Sequence, residues 1–387
     1  MSRPPPLKPI RSVDESDSNF SKSRLLQPVV EEENSQDNVF TSGTHILEEN
    51  KQRLKELSPL SWNDFFETRA FVLPENYKGR GFRVYAVGSL TELLTDSTVS
   101  LGTCERVTSN SHSSTQAVSY KKQPLLMLFH GGGYSALSFG LLVKYMMQKL
   151  PSPESLSILA FDARGHGETD VENEHNLSAE QQVEDALGLL QSIYGKLDTE
   201  LPPVVLAGHS MGGAIAVRLG ASGKIPTLCG LIVIDVVEGT AMASLPHMQS
   251  VLLKRPKSFS SIERAILHTL ESGQTKSKDS CRLSLPSQLK WDEVKDCYCW
   301  RTRLEESECY WKGWFENLSS LFLEVSVPKL LILAGQDRLD KPLTIAQMQG
   351  RFQLSVVRDS GHNLHEDQPE ATAQIFVEFL RRHTIVD

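Results

Sequence analysis

The stretch VVLAGHSMGGAIAV, residues 204–217, decides how this chain is read. Val204, Val205 and Leu206 form a short apolar run of the kind that makes a buried strand. The run breaks at Gly208-His209-Ser210-Met211-Gly212 and resumes as Gly213-Ala214-Ile215-Ala216-Val217, small residues at helical spacing. A strand, a G-x-S-x-G turn and a helix make the pattern of a nucleophile elbow, which holds its serine in a strained backbone conformation. Gly208 and Gly212 flank Ser210 because a Cβ at either place would collide across the turn. The helix start behind Ser210 offers aimed N–H groups and the positive end of a dipole where an oxyanion would form. Taken alone, the motif is equally a glycine-rich turn before a helix; the flanking strand and helix favour the elbow.

Upstream, Pro124–Phe129 (PLLMLF) has the length and continuity of a parallel-sheet strand and runs into His130-Gly131-Gly132-Gly133. In esterases built around such an elbow, a loop of this kind gives one backbone N–H to the oxyanion hole, and the residue after the nucleophile gives the other. That nominates Gly131 and Gly132 on the loop and Met211 on the elbow, with His130 bracing the loop. An HGGG loop about eighty residues before a GHSMGG turn is more specific than either alone.

Further strands follow the same rhythm: Phe82–Val87, Ser157–Asp162, Leu231–Ile234, Lys329–Gly335 and Phe352–Val357. Arg164 and His166, in the turn after Asp162, are expected to brace the carboxyl edge of the sheet. Ser178 with Gln181 reads as a capping box, and Val183, Ala186, Leu187, Leu190, Ile193 and Tyr194 as the apolar face of the helix it starts. A final helix opens at Pro369, with Ala371, Ile375, Phe376, Phe379 and Leu380 on one face.

Residues 1–57 are rich in Ser, Pro, Glu and Asn and read as a disordered tail before an α/β domain spanning 58–387. Residues 89–122 are a polar hairpin or loop insertion. Residues 236 to about 325 break the strand–helix alternation and carry four of the five tryptophans, as expected of a helical cap over the sheet. The tryptophans are expected to hold that cap together, and a groove for an extended peptide is the sharper reading.

With 387 residues and 40% hydrophobic content the chain can bury a large core. A formal charge of −8 speaks against nucleic acid as a partner. The six cysteines have no C-x-x-C pairing suited to zinc, and no metal is expected. No apolar run approaches the ~20 residues of a membrane span, and the first residues lack a secretory apolar core. A cytoplasmic or nuclear protein without membrane contact is the expectation.

The reactive groups occur in the order Ser210, an aspartate, His362, which resembles the α/β hydrolases. Ser210 would attack a carbonyl carbon, and His362 would take its proton and pass it to the leaving group. His365 is nearby, but Gly361 before His362 suits a ring reaching into a cleft. The acid is open between Asp235 and Asp337, each just past a strand, with position slightly favouring Asp337.

Several blocks go beyond that general likeness: LAGHSMGGAIAV, Ile234–Met242 (IDVVEGTAM), Arg255–Phe259 (RPKSF), Tyr310–Phe315 (YWKGWF), Ala334–Gln353 and Gly361–Asp367. Together they resemble the protein phosphatase methylesterases, from about Pro59 to His383, outside the 89–122 insertion and the polar part of the cap. The chain departs from that family most in the cap, which lacks a long charged low-complexity run found in some members. The resemblance implies an α/β-hydrolase fold with a mostly parallel sheet and a cap after the strand that ends at Asp235. It makes Asp235 the triad acid and leaves Asp337 a supporting carboxylate. It implies hydrolysis of the methyl ester on the C-terminal leucine of the type 2A protein phosphatase catalytic subunit, without cofactor. A general esterase of small esters, or a phosphatase-binding inhibitor on a hydrolase scaffold, are the competing expectations.

Overall fold

Apolar runs too continuous to alternate between core and water need cover on both faces, and here they form the middle of a sheet. The computed structural model describes residues 52–96, 105–106, 123–335 and 339–387, all within the unit Lys51–Asp387. The first strands are antiparallel: β1 (Thr68–Val72) pairs with β2 (Gly79–Val87), and the two-residue β3 (Glu105–Arg106) joins β1. Then come β4 (Leu125–Phe129), β5 (Ser157–Phe161) and β6 (Asp170–Val171), which pairs with β2. After them follow β7 (Val204–His209) and β8 (Leu228–Ile234). The short strands β9 (Ser258–Phe259), β10 (Leu289–Asp292) and β11 (Cys297–Trp300) make a separate sheet, before β12 (Lys329–Leu333) and β13 (Gln353–Val356).

The main sheet runs β13-β12-β8-β7-β4-β5-β2-β1-β3 and is parallel from β13 to β5. All residues of β4, β5, β7 and β12 are buried. The chain leaves β4 for β5 on one side and then crosses to β7 on the other. The loops after β4 and β7 therefore diverge and open a crevice at their carboxyl ends.

Helices cover both faces. The first, α1 (Leu90–Asp96), buries Leu90 and Leu94 in the core, so the expected polar insertion begins as a packed helix. An apolar i,i+4 pair explains the difference; the rest of 89–122, apart from β3, lies outside the described residues. On one face α2 (Gly140–Lys149) contributes Leu142, Val143 and Met146 to a core cluster. The other face is covered by α3 (Ala179–Tyr194) and α4 (Met211–Ala221). Ser178 Oγ accepts from the N–H of Gln181, but the Gln181 amide turns to Tyr77 and Asp185 instead of closing the box.

Between β8 and β12 lie α5 (Glu238–Lys254), α6 (Ile262–Glu271), α7 (Lys278–Gln288), α8 (Glu308–Phe315) and α9 (Leu318–Glu324). Trp311 and Trp314 are at most 2% exposed and belong to the main core. Trp314 Nε1 donates to Leu177 O at 2.6 Å, so the tryptophan anchors its segment to the turn two residues before α3. A smaller cluster holds Phe259, Ala265, Ile266 and Leu285 together with Leu57, from the end of the expected tail; residues 1–51 lie outside the described residues.

The chain closes with α10 (Lys341–Met348), α11 (Leu364–Asp367) and α12 (Pro369–Arg382), which packs on the same face as α2. Its buried stripe is Thr372, Ala373, Phe376, Val377, Phe379 and Leu380; Ala371 faces water and Ile375 is half-buried. The expected face is thus rotated slightly, because Thr372 satisfies its hydroxyl within the helix by donating to Gln368 O at 2.8 Å. Among the described residues no helix is long and apolar enough to cross a membrane.

Candidate active site

Parallel register alone brings three loops into one row. Phe129 pairs with Gly208 and His209 with Ile234, so Ser210 leaves the sheet between the His130 loop and Asp235. Ser210 sits at φ 52 and ψ −120, a conformation costing about 1–3 kcal/mol, fixed by its N–H donating to Ile234 O at 3.1 Å. A Cβ on Gly208 would land on the Gly212 carbonyl, and one on Gly212 on the carbonyls of Phe129 and His130. The turn is closed against both neighbours.

The glycine loop is braced by two histidines. Ala163 N–H donates to His130 Nε2 at 2.9 Å, so His130 carries its proton on Nδ1 and donates to Gly131 O at 2.8 Å. In the same way Gly133 N–H donates to His166 Nε2 at 2.9 Å while His166 Nδ1 donates to Arg164 O. Burial lowers the His130 pKa to about 3 and that of His166 to about 4, which keeps both neutral. Arg164 is itself held by Asp185, with two charge-assisted bonds of 2.9 and 2.6 Å. Gly132 and Met211 line the cavity above Ser210, whereas Gly131 is buried with its Cα turned toward the His209 ring.

His362 follows β13 and reaches back over the elbow. Its Nδ1 donates to Asp235 Oδ2 at 2.8 Å, and Ala334 N–H donates to Asp235 Oδ1 at 2.9 Å. The Asp235 side chain is fully buried and that of His362 half exposed, so the imidazole offers its Nε2 edge to solvent. Asp235 also adopts a positive φ of 48°, the second strained residue of the site. Among the described residues no hydrogen bond joins Ser210 Oγ to His362; both side chains line one cavity of about 850 Å³. Asp337, the other candidate acid, lies outside the described residues.

Sequence reasoning missed His209. Its Nε2 donates to the carbonyl of His362 at 2.9 Å, and its ring packs against those of His362 and His365 at 4.7 and 4.6 Å. Its place between the elbow glycine and the serine was the one available signal. Burial holds the His209 pKa well below the ordinary range. His365 is fully buried between His209 and Phe139, its pKa lowered to about 3 by burial, and does not reach the cavity. The far cavity wall comes from α5 (Met248, Val251, Leu252) and from Leu304 and Trp314.

A serine lining the cavity at a strained elbow, a carboxylate-held imidazole and a glycine loop in one crevice suit acyl transfer from an ester. Residues 125–375 match the alpha/beta hydrolase family. The chain is 38% identical to protein phosphatase methylesterase 1 of Bos taurus, over 87% of this chain and 89% of that one. It is 40% identical to the probable protein phosphatase methylesterase 1 of Caenorhabditis elegans (86% and 79%) and 35% to that of Cryptococcus neoformans (94% and 88%). Among solved structures it resembles an E-2-(acetamidomethylene)succinate hydrolase, with a TM-score of 0.59, 17% identity and coverage of 82% and 99%. An esterase of Mycobacterium tuberculosis is similar in fold, with a TM-score of 0.53, 19% identity and coverage of 80% and 92%. The chain therefore belongs to the alpha/beta hydrolase family and, within it, to the protein phosphatase methylesterases.

Proposed function

We propose that this carboxylic ester hydrolase removes the methyl ester from the C-terminal leucine of a type 2A protein phosphatase catalytic subunit. Ser210 Oγ attacks the ester carbonyl carbon while His362 Nε2 takes its proton. Asp235 holds the imidazole in the right tautomer and balances its charge. The N–H groups of Met211 and Gly132 take the oxyanion of the tetrahedral intermediate. As that intermediate collapses, the imidazolium gives its proton to the departing methoxide, and methanol leaves. Water, deprotonated by His362, then attacks the acyl-serine, freeing the peptide carboxylate and returning the proton to Ser210.

The observation that carries this reading is the 2.8 Å contact of His362 with the buried Asp235 at a cavity that also exposes Ser210. A cavity of about 850 Å³ exceeds what a small aliphatic ester needs and suits a peptide end. The test is mass spectrometry of a methylated phosphatase C-terminal peptide after incubation with wild type and with Ser210→Ala. Loss of 14 mass units, about one methylene, with wild type only is the expected result. An unchanged peptide beside brisk turnover of short aryl esters would instead make the protein a general esterase.

A further inference from the structure

The cavity holds a cationic group that hydrolysis itself does not use. Arg255 caps the C-terminal end of α5, where its backbone turns out of the helix (φ −64, ψ 137) into Pro256. Its guanidinium lies over the indole of Trp300, Cζ 4.0 Å from the ring centroid. Trp300 is fixed in turn: its Nε1 donates to Pro256 O at 2.7 Å and its ring meets Phe259 edge-on at 5.7 Å. The head group is thus held by a rigid platform on the wall of the cavity that exposes Ser210 and His362.

Half-buried Arg255 differs from the two fully buried arginines, Arg83 and Arg164. Arg83 pairs with Glu168 and Arg164 with Asp185, both at 2.6 Å. Among the described residues Arg255 has no carboxylate partner; Glu305 and the Tyr134 hydroxyl act on it only through space. Lys254 and His268 line the same cavity, and Asp235, the one carboxylate among the described lining residues, is engaged by His362. A half-buried guanidinium on an aromatic shelf with its donors uncommitted is built to receive a carboxylate in its planar fork.

We infer that Arg255 is an anion-recognising subsite that selects peptide substrates with an acidic side chain a few residues before the esterified terminus. The inference rests on the methylesterase reading above. Charge complementarity supplies the argument: a chain of net charge −8 gathers positive groups on this wall.

The test uses the full chain and short peptides ending in leucine methyl ester, with Asp or Asn at each of several positions upstream. Methanol release gives kcat/KM, and the Asp-to-Asn ratio within one variant cancels any general damage. Wild type is expected to prefer Asp about 10- to 100-fold at one position. Arg255→Met should bring that ratio close to one, and Arg255→Glu should invert it in favour of a Lys peptide. Binding of the labelled Asp peptide to Ser210→Ala, with and without Arg255→Met, should show the same loss in Kd. A merely structural Arg255, holding Trp300 and the end of α5, would lower turnover of both peptides and leave the ratio intact, which overturns the inference. A wild-type ratio of one at every position overturns it while the methylesterase reading stands. Wild type that hydrolyses none of these esters sinks both.

Discussion

His209 Nε2 donates to the backbone carbonyl of His362 at 2.9 Å, so the residue before the candidate nucleophile holds the loop that carries the candidate base. The two loops follow β7 and β13, which have β8 and β12 between them in the sheet, and this bond sets the base over the turn. Replacing His209 with Phe keeps a ring but removes the donor. A misplacement of about 1 Å is worth about 10²-fold in rate, so kcat should fall by about 10- to 100-fold with KM little changed. Steady-state kinetics on a methyl-ester peptide, beside a melting curve, checks this.

The pairing of His362 with Asp235 gives the second prediction. Asp235→Asn leaves the shape of the site but favours the wrong imidazole tautomer, and kcat should drop by about 10⁴-fold. Asp337→Asn should cost far less. If Asp337→Asn proves the more damaging, Asp235 is not the acid.

An oxyanion donor on the glycine loop predicts a third result. Gly132→Pro removes the N–H of a residue that lines the cavity and should lower kcat by about 10²- to 10³-fold. Equal turnover by wild type and variant would place the donor elsewhere.

Stability should peak near neutral pH. His130, His166, His209 and His365 all have lowered pKa values in the folded protein, so below the unfolded value near 6.5 the unfolded chain binds their protons and the folded one does not. Their stabilisation is present above pH 6.5 and is lost as pH falls toward 4. Asp162 and Glu366, raised to about 6 and about 8 by burial, act in the opposite sense and hold protons when folded. Around pH 5 the four imidazoles outweigh the two carboxyls, so the unfolded state binds more protons and stability rises with pH. Between pH 7 and 8 Glu366 alone reverses the sign. Chemical denaturation from pH 4.5 to 8.5 should show this maximum; stability rising monotonically toward acid would contradict it.

Trp314 ties the segment after β8 to the main core. Trp314→Ala should destabilise the protein by about 3–5 kcal/mol, and Trp314→Phe by less, because the ring stays but the bond to Leu177 O is lost. Urea unfolding of the three proteins measures the difference.

What the sequence by itself determined was local. The elbow around Ser210, the glycine loop at His130–Gly133 and the helix from Ser178 rest on backbone sterics and periodicity within a dozen residues, and each is legible there. The strands of the parallel sheet were legible for the same reason, since continuous apolar runs need cover on both faces. The tertiary structure alone decided which groups meet. Asp235 reaches His362 across 127 positions because β8 and β13 end at one edge of the sheet, on either side of β12. His209 meets His362, and Arg255 shares a cavity with Ser210, through packing that no short window of sequence encodes. Propensity acts between neighbours in the chain, whereas a site is made of neighbours in space.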